Sequence, residues 1–305
     1  MRSTTSSVPV RILSHNIRYA TSSPFQGEEP WPARKQLLLN ELEYHARHNQ
    51  ESFLCLQEVL HVQLVDILSG LNSANSVTAG CQKSKEVSKD EEEWAYIGVG
   101  RDDGKEAGEY APIFYRPATW ELLDWKTVWL SETPTIPSKS WDAASIRIVT
   151  IGVFKHRASR KTVLALNTHL DDQGARSRLE AAKIILEQIK GYTEPDNSFS
   201  AVFLAGDFNS KEDDGAYQTL TASDSNLLDS QKLVSSEYHY GNENTFTGFG
   251  YESVPPKRID YVLLGPSGSE YPTWNVQGYS VQASRFDDMV YNSDHRAVIV
   301  DTQLL

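Results

Sequence analysis

The apolar run LAGDFNS closes on Asp207 and Asn209, and SDHRAV places Asp294 and His295 directly before another apolar run. Asp207 and Asn209 are two apart, so on an extended chain they face the same way. An acceptor beside a neutral amide suits water activation next to a bound phosphate; an Asx turn is the alternative. Asp260 lies inside RIDYVLL, where a buried carboxylate without a partner is costly. His295 is the obvious partner, because an Asp–His pair fixes the imidazole tautomer and raises its basicity, giving a general base for water. His169 follows VLALNT and could donate to a phosphoryl oxygen or act as general acid, or be a hydrogen-bonded structural residue. Glu58 ends the run FLCLQ and, with Asn16 at the end of the first strand, offers oxygens to Mg²⁺ or Mn²⁺. Its alternative is to cap the helix that follows. There is no G-x-S-x-G and no H-E-x-x-H, and Cys55 sits in a strand, so metal-assisted attack by water fits best.

These groups need rigid mounts. VRILSHNIRY (10–19), SFLCLQEV, TVLALNTHL, AVFLAGDFN, RIDYVLL and AVIVDT read as strands, as do EWAYIGVG, APIFYR, WELLDWKTVWL, SIRIVTIGVFK and YSVQASRF. TSSPFQGEEPW is a loop. A first helix starts at Pro32 with Leu38, Leu42 and Ala46 on one face. A second carries Leu60, Leu64, Ile67, Leu68 and Leu71 and is predicted to end near Gly70–Asn72. A third carries Leu179, Ala182, Leu186 and Ile189 and is predicted to stop at Gly191; AYQTLTAS is a short fourth. KHRASRK reads as a hairpin loop, and the polar stretch 81–93 as a surface connection. This order predicts one α+β domain over residues 1–305, with a core at about 8–303 and two sheets packed face to face with helices outside.

Hydrophobic residues make up 39% of the 305 residues and aromatics 10%, enough for a substantial core. The net charge of −12 argues against a binder of long nucleic acids, which carries a basic face. Nucleic acid is a possible but not a favoured partner. No run of about 18 apolar residues predicts a membrane span. The N-terminus lacks an apolar signal region and only two cysteines occur, so a cytoplasmic, reducing location is expected.

The ordered set Asn16, LQE ending at Glu58, NTH at His169, GDFN ending at Asn209, RID at Asp260 and SDH at His295 resembles the endonuclease/exonuclease/phosphatase (DNase I-like) superfamily. The match runs from residue 10 to about 301, and GRDDGKEAGEYAPIFYR, WLSETP and WDAA look like its microbial and fungal branch. The resemblance implies a four-layered α/β sandwich, a Mg²⁺ or Mn²⁺ cofactor and a phosphoester substrate. It places Glu58 and Asn16 on the cation with Asp294 near it. Asp207 and His295, the latter paired with Asp260, share the acid and base roles in either order. Asn209 contacts phosphate, and His169, paired by Glu109, stabilises the pentacovalent phosphorus. Arg101 and Phe246 are expected to contact substrate, with Phe246 or Phe249 of TFTGFGYES stacking on a base or apolar tail or else anchoring that loop. The branch commonly has His where this chain has Asp172, next to Asp171. The expected reaction is hydrolysis of a small-molecule, nucleotide or lipid phosphodiester. The alternatives are a nuclease, a phosphomonoesterase, or a catalytically silent binder of a phosphorylated ligand or a protein.

Overall fold

Side chains alternate between two dry interfaces along each central strand. In β1 (Val8–Asn16), Val8, Val10 and Ile12 face one way and Leu13 the other; in β2 (Phe53–Gln57), Phe53 and Cys55 oppose Leu54 and Leu56. β7 (Thr162–His169), β8 (Ala201–Asp207) and β11 (Asp260–Gly265) follow the same rule: Val163, Ala165, Ala201, Phe203, Ala205, Val262 and Leu264 face one interface, while Leu164, Leu166, Val202, Leu204, Tyr261 and Leu263 face another. Strands buried on both faces must read as continuous apolar runs, which makes them recognisable in the sequence. The computed structural model describes residues 7–78, 93–193, 201–266 and 273–305.

The remaining strands are β3 (Ala95–Ile97), β4 (Ile113–Tyr115), β5 (Trp120–Trp129), β6 (Ile148–His156), β9 (Leu228–Asp229), β10 (His239–Gly241), β12 (Trp274–Val281) and β13 (Val298–Leu304). One sheet has the order β10-β12-β13-β1-β2-β4-β3 and the other β5-β6-β7-β8-β11-β9. Both are mixed: β1–β2, β10–β12 and β7–β8 are parallel and the other pairs antiparallel. Helices α1 (Trp31–Ala46) and α2 (His61–Thr78) cover the outer face of the seven-stranded sheet, and α3 (Ala175–Thr193) and α4 (Gly215–Leu220) that of the six-stranded sheet. The result is the expected four-layered sandwich. At the centre Phe53 meets Trp120, Phe154 and Phe203 at ring-centroid distances of 4.9, 5.1 and 5.3 Å.

Two helix ends differ from expectation. α2 runs through Gly70 to Thr78, because this glycine serves close helix packing: a Cβ there would lie 2.6 Å from Leu39 Cδ2 of α1. Gly191 lies within the last turn of α3, with open space around its Cα, and the helix ends at Thr193. β12 begins at Trp274, earlier than expected, and stops at Val281, so ASRF belongs to the loop before β13. The connection expected at 81–93 lies outside the described residues except for Glu93, which accepts from Arg116 Nε at 2.6 Å. KHRASRK does connect β6 to β7, with Arg160 at φ 65° in the turn. No helix among the described residues is long and apolar enough to cross a membrane.

Candidate active site

The interface between the sheets changes character toward one end. Apolar as far as Ile12, Cys55, Ala165, Ala205 and Val262, it continues at the same two-residue period into Ser14, Gln57 and Asn167, then into Asn16, His169, Asp207 and Asp260. Gln57 Nε2 donates to Asn167 Oδ1 at 2.7 Å and to Ser14 Oγ at 3.2 Å, and Asn167 Nδ2 donates to the carbonyls of Leu56 and Pro112, both at 2.8 Å. This belt pairs the amide N–H groups beneath the site and leaves the buried Gln57 Oε1 without a partner among the described residues.

Strand pairing brings the acids together. Asp207 lies beside His169 in the parallel β7–β8 pair and opposite Asp260 in the antiparallel β8–β11 pair. β1 reaches the same end from the other sheet: Asn16 Nδ2 donates to Glu58 Oε1 and Asp207 Oδ2, both at 3.0 Å. His295 Nδ1 lies 2.9 Å from Asp260 Oδ2, and its Nε2 lies 3.6 Å from Asp207 Oδ2. Gly206, just before Asp207, has φ 153°, and a Cβ there would lie 2.1 Å from the Thr168 carbonyl oxygen. Only glycine fits. Arg18, Glu58 and Asn209 also have positive φ, at 58°, 59° and 47°. Such a clustering of strained backbone around one site is a mark of functional constraint.

The charges here are strongly displaced. Burial pulls His295 down, but Asp260 and Asp207 outweigh it and push the imidazole up to about 10, so it is a cation at neutral pH. Asp207 is raised by burial and by the charge of Asp260. His169 is pushed down to about 4 by burial and by Arg147 and is therefore neutral. Its Nε2 accepts from Asn209 Nδ2 at 3.0 Å, which leaves the proton on Nδ1, 3.7 Å from Glu109 Oε2.

Asn209 Nδ2 also donates to the Leu170 carbonyl at 3.0 Å, so both amide hydrogens are spent. In this arrangement Asn209 holds His169 rather than offering a donor to phosphate, and His169 Nε2 has no hydrogen to offer a phosphoryl oxygen. The expected phosphate contacts from these two residues would require both to reorient.

Glu58 and Asp294 are the carboxylates that would hold a divalent cation. Burial, and then the nearby Glu58, push the Asp294 carboxyl up to about 6 against the pull of His295 and Arg18. Both offer hard oxygens of the kind Mg²⁺ and Mn²⁺ take, those of Glu58 also accepting from Asn16 at 3.0 Å and from the Tyr19 N–H at 3.1 Å. Asn16 fits less directly, since its Oδ1 accepts from the Arg18 amide at 3.0 Å while its nitrogen faces the carboxylates. Asp207, Asp260 and His295 also place one potential ligand atom each within 4.8 Å of one another; within this group His295 Nδ1 is bonded to Asp260 at 2.9 Å, while Asp207 accepts from Asn16 at 3.0 Å.

Arg101 Nη1 donates to Glu109 Oε2 at 2.7 Å, which places this guanidinium beside the carboxylate behind His169. Arg147 Nη2 holds the exposed Asp172 at 2.8 Å, while Asp171 is buried and accepts backbone N–H groups from residues 144, 145, 173 and 174. Phe246 is half-buried with its ring 4.9 Å from that of His295, whereas Phe249 is buried and packs on Tyr291, unavailable for stacking. Arg18 and Arg147 escaped sequence reasoning. Arg18 Nη1 lies 3.8 Å from Glu58 Oε2 and its Nε bonds Glu28 at 3.1 Å.

A sequence profile of the Endonuclease/Exonuclease/phosphatase family matches residues 13–295. An endonuclease/exonuclease/phosphatase from Bacteroides vulgatus is 31% identical with a TM-score of 0.79, covering 98% of this chain and 100% of its own. A mannosyl-6-phosphatase of Bacteroides thetaiotaomicron is 29% identical with a TM-score of 0.78, covering 96% and 99%. The CCR4-Not complex 3'-5'-exoribonuclease subunit Ccr4 of Candida albicans is 22% identical over 338 residues, 96% of this chain and 41% of that protein. The chain thus spans about two-fifths of the length of that curated relative.

Proposed function

The chain belongs to the endonuclease/exonuclease/phosphatase family, whose members hydrolyse phosphoesters, and we propose that it hydrolyses a small phosphodiester by in-line attack of water, using Mg²⁺ or Mn²⁺. The observation that carries this reading is the unbroken chain of contacts Glu58–Asn16–Asp207–His295–Asp260 across the two sheets. Glu58 and Asp294 would hold the divalent cation, which would supply Lewis acidity at a phosphoryl oxygen. Asp207, more basic than an ordinary carboxylate, takes the proton of the attacking water. His295, carrying a proton at neutral pH, donates to a phosphoryl or leaving oxygen, which favours the acid role over the base role. Glu109, Asn209 and Asp260 orient the two imidazoles.

The acidic chain favours small substrates over polymeric nucleic acid. A second reading, phosphomonoester hydrolysis, is favoured by the likeness to the mannosyl-6-phosphatase. Rates on bis(p-nitrophenyl) phosphate and p-nitrophenyl phosphate, each with Mg²⁺, Mn²⁺ or chelator, decide between them. Metal-dependent preference for the diester is the expected result. Preference for the monoester establishes the second reading, and chelator-resistant turnover removes the metal.

A further inference from the structure

Phe246 pairs through backbone bridges with both Lys257 and His295. Partners across such bridges put their side chains on one face, so Lys257, Phe246 and His295 stand in a row. The Lys257 ammonium lies 5.0 Å from the Phe246 ring centre, and that ring lies 4.9 Å from the His295 imidazole. Past Lys257 opens a trough of about 390 Å³ lined by Lys211, Glu212, Asp213, Asn244, Lys257 and Arg258. Lys211 is delivered there by the same turn that carries Asn209, since Tyr261 Oη pins the intervening Ser210 carbonyl at 3.0 Å.

The two lysines differ from the arginine beside them. Arg258 is committed to Asp229 at 2.8 Å and Glu212 at 2.9 Å, and Glu212 is further bound by Lys232 at 2.6 Å. Among the described residues neither Lys211 nor Lys257 has a carboxylate within ion-pair distance. In a chain of net charge −12, two ammonium groups without a carboxylate partner among the described residues border one trough next to the acid–base histidine.

We propose that this trough is a second anion subsite, so that the substrate carries, beyond the scissile phosphoester, another phosphate-like group held by Lys211 and Lys257 with its connecting part against Phe246. The proposal rests on the phosphoester reading of the same site and narrows its substrate class. Ammonium groups at such an edge hold phosphate as point charges, without the bidentate geometry of arginine.

The test uses two chromogenic diesters, the p-nitrophenyl ester of thymidine 5'-phosphate with and without a 3'-phosphate. The expected result is a kcat/KM about tenfold higher for the 3'-phosphorylated ester, the scale of one charge-assisted hydrogen bond. The advantage should reside in KM, be retained by Lys257→Arg and vanish in the Lys211→Ala/Lys257→Ala double variant, with the simpler ester unaffected. Equal kcat/KM values, or an advantage that survives the double variant, overturn the subsite. If neither ester is cleaved the reaction assignment fails instead, and calorimetric titration of inorganic pyrophosphate into the metal-free protein judges the subsite. Saturable, salt-sensitive binding lost in the double variant supports it; absence of binding overturns it.

Discussion

Asp260 Oδ2 lies 2.9 Å from His295 Nδ1 and, through the strand ladder, directly opposite Asp207, so one carboxylate governs both neighbours at once. It charges the imidazole and makes Asp207 harder to ionise. Asp260→Asn should lower kcat by about a hundredfold or more, the range of a lost acid–base contribution. The basic limb of the pH–rate profile, set in the wild type by a histidine near 10, should move to lower pH. An unmoved limb would show that another group supplies the acid.

Asp207→Asn should separate activity from stability. Asp207 has its folded-state carboxyl raised above the unfolded value, so its ionisation at neutral pH costs folding stability. The amide keeps an oxygen for one of the two donors Asp207 now serves, Asn16 at 3.0 Å and the Asn209 N–H at 2.8 Å, and removes the repulsion with Asp260, which offsets the bond lost. Turnover should therefore fall by at least about a thousandfold while Tm holds or rises, the trade expected of a strained site. A large fall in Tm would make Asp207 structural.

Glu58→Gln should raise the Mg²⁺ concentration for half-maximal activity about tenfold or more, because a neutral amide is a poorer ligand for a hard cation. Isothermal titration with Mn²⁺ checks the same loss without turnover. Unchanged metal affinity would place the ion elsewhere.

His169 predicts an acid sensitivity. Its folded value of about 4 lies below the ordinary 6.5, so the unfolded chain binds the extra proton and stability falls as pH drops from 6.5 toward 4. At about 1.4 kcal/mol per pH unit the loss is about 3 kcal/mol. His169→Gln lacks this titration, so between pH 7 and pH 4 the denaturant midpoint of the wild type should fall relative to that of the variant. Parallel pH curves would exclude His169 as the cause.

The central packing can be tested away from the chemistry. Phe53 is fully buried among Trp120, Phe154 and Phe203. Removing its ring in Phe53→Ala should cost about 3–5 kcal/mol. Below its lowered Tm, kcat should be close to that of the wild type.

The strands and most of the site were legible because one periodicity serves both. Asn16, His169, Asp207 and Asp260 continue the inward phase of runs whose apolar members build the core, so each marks itself as the polar end of a buried strand. Arg18 and Arg147 carry no such mark, since their meaning lies in Glu28, Glu58, Glu109 and Asp172, contacts made only by folding. Gly70 and Gly191 misled for a related reason. A helical glycine reads as a stop until the neighbouring helix, or the lack of any neighbour, is known. Phe246 and Phe249 looked equivalent in the sequence, and only their surroundings separate a ring on His295 from one buried beside Tyr291.

The pairing of Asp207 with neighbours on both sides makes β8 intolerant of any change in length. Removing or adding one residue between Ala201 and Gly206 would swing Asp207 out of the inter-sheet space and into the layer where Leu204 meets the outer helices. The exposed turn at 251–256 carries no such phase, so it can lengthen or shorten while the hydrolytic groups stay in register. Indels in a diversified library of this gene should therefore survive in that turn and be purged from β8, letting new substrates be sought without rebuilding the reaction centre.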